Sequence, residues 1–104
     1  MDYKVIMSDK AHQQLDQFLY YILVELGNEQ AARNVLEDAE KTKVRLSHMA
    51  GSLRKCDNPK LNELGYHIIQ FEHHRYFMVY RIDGAAVYVE GVYHGLQDFE
   101  NYVN

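Results

Sequence analysis

Residues 75–94 read Arg75-Tyr76-Phe77-Met78-Val79-Tyr80-Arg81-Ile82-Asp83-Gly84-Ala85-Ala86-Val87-Tyr88-Val89-Glu90-Gly91-Val92-Tyr93-His94, and the fold turns on them. Runs rich in Tyr, Val, Ile and Phe suit a pleated, half-buried surface, which predicts strands over Arg75 to Ile82 and Ala86 to Tyr93. Between them, Asp83-Gly84 is a strong hairpin signal, because Gly accepts the positive φ that a type I′ turn requires. A two-residue turn there sets Ile82 opposite Ala85 and fixes the pairing of the whole hairpin.

Upstream, Tyr66 to Glu72 has the same composition, and His73-His74 supplies a second turn. Together the two turns place His67, Ile69, Phe71, Tyr76, Met78, Tyr80, Val87 and Val89 on one face, the expected core. The other face then carries Tyr66, Ile68, Gln70, Glu72, Arg75, Phe77, Val79, Arg81, Tyr88, Glu90, Val92 and His94. This mixture of charge and aromatics is expected to be partly wet and able to host a site. A slip of one residue in either turn exchanges the two sets.

Further out, Tyr3, Val5 and Met7 alternate with Lys4, Ile6 and Ser8 as a short opening strand. Ser8 reads as an N-cap, and Ala11, Leu15, Phe18, Leu19, Ile22 and Leu26 recur at helical spacing up to Gly27. Asn28 caps a second helix with Ala32, Val35, Leu36, Ala39, Leu46 and Met49 as its apolar stripe. Periodicity is lost from Gly51 to Gly65, which reads as a loop, and Asp98 to Val103 reads as a short terminal helix. The order is strand, helical hairpin, then three antiparallel strands: a single α+β domain over 1–104, with two helices packed on one face of a small twisted sheet.

Composition narrows the function classes. The chain has 104 residues, 47% of them hydrophobic, and a formal net charge of −4. That is room for one core and one domain, and the acidic balance argues against a polyanion binder working by bulk charge. The longest apolar run, Phe18 to Val24, falls far short of the roughly 20 residues that span a bilayer, so no membrane partner is expected. A lone Cys56 and an N-terminus without the order of a secretory signal point to the cytoplasm.

The opening strand, the helical hairpin and the segment Tyr66 to Asp98 resemble the RelE/ParE superfamily, the toxins of bacterial type II toxin–antitoxin modules of the plasmid-stabilisation type. The most specific part is Arg75 to Gly84, then Val87-Tyr88-Val89, then His94-Gly95-Leu96-Gln97-Asp98. The resemblance implies a growth-inhibiting toxin neutralised by a cognate antitoxin. RelE-like members cleave mRNA on the ribosome; ParE-like members poison DNA gyrase and lack the nuclease residues.

Metal-independent RNA cleavage needs a base for the 2′-hydroxyl, an acid for the leaving oxygen and cations around the phosphate. His94 is the candidate proton shuttle, Arg81 and Arg75 the candidate phosphate clamp, and Tyr93 and Tyr102 candidate substrate contacts. Arg54 and Lys60 give the preceding loop a local positive charge. The same residues have a bland reading, in which Arg81 pairs with Glu90 or Asp98 and His94 ends its strand on a nearby acid. Many ribonuclease members have a basic residue where this chain has Gln97, and others on the strand of Tyr66 and His67. These departures favour a gyrase inhibitor over a ribosome-dependent endoribonuclease, with a decayed toxin fold that only binds antitoxin as a third reading.

Tyr20, Tyr21 and Leu23, off the core stripe of the first helix, are candidate antitoxin anchors, unless Tyr20 and Leu23 pack on the sheet margin. His-x-x-x-His and Cys-x-x-Cys spacings are missing, so neither a metal nor another cofactor is expected. Cys56 reads as a passive surface thiol, and Lys41, Lys43 and Arg45 as part of a solvated helix face.

Overall fold

The computed structural model describes residues 2–95. Strand β1 (Lys4–Met7) leads into helix α1 (Asp9–Tyr20), where the Ser8 hydroxyl accepts the Ala11 N–H and Asp9 adds the negative charge that a helix N-terminus favours. Beyond Tyr20 the helix widens into one π-type turn over Tyr21–Glu25, with the Leu26 N–H reaching back five residues to the Tyr21 carbonyl at 3.1 Å. Gly27, at φ 62°, reverses the chain, and the Asn28 side chain caps α2 (Glu29–Met49) through the Ala31 N–H. The helical hairpin is the one predicted.

Strands β2 (Tyr66–Gln70), β3 (Tyr76–Asp83) and β4 (Ala86–His94) complete a sheet of order β1-β4-β3-β2. β1 runs parallel to β4, an edge pairing that the alternation of Tyr3 to Met7 did not specify. Pairing of β2 with β3 follows the expected register, His67 opposite Tyr80 and Ile69 opposite Met78.

Two corrections concern β4. The turn centres on Gly84-Ala85, so Ile82 faces Val87 and not Ala85. Gly84 has φ 61° and Ala85 does not have a positive φ, which is the type II′ pattern and not type I′. This shift of two keeps each side chain on its expected face. The second correction does not: Val79 pairs with Gly91 while Tyr80 pairs with Val89, leaving Glu90 as an extra residue in a bulge. A bulge reverses the alternation beyond it. Val92 now faces Met78, and His94 faces Tyr76, on the side that the helices cover. Helix α1 satisfies the backbone freed there, the Ser8 hydroxyl donating to the Glu90 carbonyl at 3.2 Å and the Val92 N–H donating to Gln14 Oε1 at 2.9 Å.

The main core lies between the helices and this face. Leu15, Ala39 and Leu46 meet Met78, Tyr80, Val87, Val89 and Val92, and full burial of each large apolar side chain contributes about 1.5–3 kcal/mol. The Tyr80 hydroxyl donates to the Ala50 carbonyl at 2.8 Å, and burial raises its pKa above the ordinary value, which keeps it a donor. His67 is buried in the expected position, its Nδ1 3.0 Å from the Leu53 carbonyl oxygen and its ring stacked on Tyr80.

The opposite face is not wet. Part of the predicted 51–65 loop is a short helix, α3 (Pro59–Glu63), capped by the Asn58 side chain. Leu61 and a buried Cys56 close a second cluster over Phe77, Val79 and Tyr93. Cys56 is therefore an interior side chain and not a surface thiol.

Candidate functional site

The widened turn after α1 decides what the hairpin exposes. A π-type turn offsets the side chains from the apolar stripe, so that within Tyr21–Glu25 only Ile22 is buried. Tyr20 is 61% exposed, Tyr21 55% and Leu23 47%, alongside Val24 and Leu26. On α2, Leu36 is also exposed, although its spacing had placed it in the core. Tyr20 and Leu23 join Leu19, Ala32 and Leu36 in an apolar groove of about 500 Å³, with the Glu29 and Arg33 ion pair among its lining. Tyr21 lies outside that lining. Apolar grooves on a helical hairpin accept amphipathic segments of partner chains.

The candidate nuclease residues are not gathered. Arg81 lies on the face opposite the helices, its Nε 3.2 Å from Glu90 Oε1 and its guanidinium 4.6 Å from the centre of the Tyr88 ring. His94 lies on the other side, its ring edge-on to Tyr76 at 5.3 Å. The bulge thus puts the sheet between the proposed proton shuttle and half of the proposed clamp. Arg75, on the β2–β3 turn, shares a cleft with His94 and not with Arg81. Tyr93 is 1% exposed and stacks on Phe77, so its ring serves packing and not substrate contact. Arg54 pairs with Asp57 at 3.1 Å on the segment that covers this face, and Lys60 is exposed on α3. Tyr102 and the predicted helix at Asp98 to Val103 lie outside the described residues, as does Gln97.

One organising residue escaped the sequence reading. Asp38 of α2 is buried, and its carboxylate accepts the Glu72 N–H at 3.3 Å, the His73 N–H at 3.0 Å and His74 Nδ1 at 2.7 Å. A carboxylate only accepts, so His74 carries its proton on Nδ1. Burial would raise this carboxyl's pKa; the bonds from His74, His73 and Glu72 outweigh it and hold the group below its ordinary value. The β2–β3 turn, which carries Arg75, is thereby fastened to α2. The signal was positional: an acid three residues after Val35 falls on the buried stripe of the helix.

The other charges on α2 form a solvated face, with Lys41 pairing Glu37 at 3.2 Å and Lys43 pairing Glu40 at 3.3 Å. Among the described residues, no group of three or more His, Cys, Asp or Glu is placed to hold a metal ion, and no helix is long and apolar enough to cross a membrane.

A helical hairpin across one face of a four-stranded β1-β4-β3-β2 sheet, with an apolar groove open along the hairpin, is the build of a RelE/ParE-superfamily toxin. Residues 5–99 match the family described as ParE toxin of type II toxin-antitoxin system, parDE, and the chain belongs to that family. Among solved structures, it is similar to a chain of the chromosomal ParDE TA system from P. aeruginosa. The two share 17% identity with a TM-score of 0.73, over 88% of this chain and 95% of that one. A search of curated proteins returns no match.

Proposed function

We propose that this protein is the growth-inhibiting toxin of a two-protein module, silenced by an antitoxin that occupies the hairpin groove. We further propose that it engages DNA gyrase and does not cut mRNA. The observation that carries the second part is the separation of Arg81 and His94 by the sheet. In-line attack by a 2′-hydroxyl needs base, acid and cation around one phosphate, and Arg81 is already engaged by Glu90 and Tyr88. The net charge of −4 adds to this, since docking on rRNA depends on neutralising phosphates.

Purified protein added to gyrase and relaxed plasmid is expected to stop supercoiling, and in a translating extract to leave transcripts intact. Cleavage in the ribosomal A site would overturn the gyrase reading. If neither effect appears and induced expression leaves growth unchanged, the fold serves only to bind antitoxin. Leu23→Asp and Leu36→Asp are expected to weaken antitoxin binding by about tenfold or more, since each puts a charge in the groove.

A further inference from the structure

We propose that the cleft between the helical hairpin and the β2–β3 turn is a second docking site, which takes an acidic, apolar-faced segment of a partner polypeptide. It has a volume of about 710 Å³, and its floor is made by Ile22, Leu26, Val35 and Phe71. His73, His74, Arg75 and His94 also line it. The only acid in the lining is Glu72, which Arg45 already meets at 3.5 Å. Three of the chain's six histidines and a guanidinium with no ion pair among the described residues therefore converge on one cleft, in a protein of net charge −4. That local inversion of charge is the complement of a carboxylate-bearing ligand.

The chemistry favours a peptide over a small anion. A guanidinium forks onto a carboxylate through two N–H groups, and imidazole N–H groups add single donors. An inorganic anion would satisfy that rim and leave the floor wet, where Leu26 is 60% exposed. An acidic segment with one apolar face covers both, as helix-in-groove recognition does. The site is also preformed: Asp38 holds His73 and His74 by hydrogen bonds, so little ordering is left for the ligand to supply. It is separate from the hairpin groove, since Leu26 and Val35 line the cleft while Leu23 and Leu36 line the groove.

The test is a selection of displayed random linear peptides on the immobilised full chain, followed by fluorescence anisotropy with an enriched peptide. Enriched sequences are expected to alternate Asp or Glu with Leu, Ile or Phe. Arg75→Glu and Leu26→Asp should each weaken the peptide by about tenfold or more, and Leu23→Asp should leave it unchanged. Arg75 is exposed on a turn, so Arg75→Glu keeps the test decisive if circular dichroism shows that Leu26→Asp does not fold. Failure to enrich, enrichment of non-acidic peptides, or indifference to Arg75→Glu would overturn the proposal. Full displacement by inorganic phosphate would overturn it too, marking a simple anion site.

Discussion

On one face of the sheet, two helices lay whole apolar stripes over Met78, Tyr80, Val87, Val89 and Val92; on the other, Cys56 and Leu61 from a short segment cover Phe77, Val79 and Tyr93. Both faces are dry, yet they were closed by different means. A long amphipathic helix brings many side chains to one surface, and its removal would open everything beneath it. A five-residue helix brings Leu61 and relies on the strands' own aromatics to fill the rest. The difference bears on function, because the face expected to host an exposed site is closed, while the apolar groove and the histidine-lined cleft both belong to the hairpin side.

Three substitutions test that contrast, beginning with the largest effect. Leu46→Ala and Leu61→Ala remove the same atoms from the two clusters, and both residues are fully buried. Loss of a buried Leu costs about 2–5 kcal/mol according to how far the site can collapse. Leu46, held between helix and sheet, is expected at the upper end; Leu61, on a short helix able to settle, at the lower. Urea unfolding of the two variants measures the gap, and equal losses would show the small cluster to be as rigid as the large one.

Next is Gly91→Ala. A Cβ there would stand 2.6 Å from Tyr93 Cε2, so the ring on the thinly covered face must move. Overpacking of this kind costs about 1–3 kcal/mol. Thermal melts should show that loss, and combining Gly91→Ala with Tyr93→Leu should cost less than the sum of the two single changes.

Asp38→Asn probes the tether on the hairpin side, with an expected loss of about 1–3 kcal/mol at neutral pH from a weakened buried hydrogen-bond set. The pH dependence has a definite sign. The folded carboxyl lies below its ordinary value of 3.8, so its contribution is complete above the unfolded value and fades as pH falls through the lower, folded one. The stability difference between wild type and variant should therefore shrink in acid, as urea titrations at several pH values would record.

Much of this architecture was legible because local chemistry announced it. Ser8 and Asn28 as caps, Gly27 as the reversal and the stripe from Ala32 to Leu46 each act within a few residues. The β2–β3 register was legible for the same reason. What escaped depends on contacts between distant residues or on a single inserted residue. The Glu90 bulge has no periodicity of its own, although Gly91 inside a strand was a cue. Asn58-Pro59 was a start signal for α3, hidden by the polar composition around it. For the candidate site, Tyr20 and Leu23 were placed on the groove that the structure shows, whereas Arg81 and His94 were expected on one face only because the alternation was carried through the bulge.

The parallel pairing of β1 with β4 has a consequence for synthesis. Val5 has no strand neighbour until Val87 exists, so the first strand to be made is among the last to find its place. At roughly 5–20 residues per second, a newborn chain spends seconds with that edge unmatched. A poison assembled in this order is harmless while it is being translated, and a guardian protein already in the cell has that interval in which to meet it.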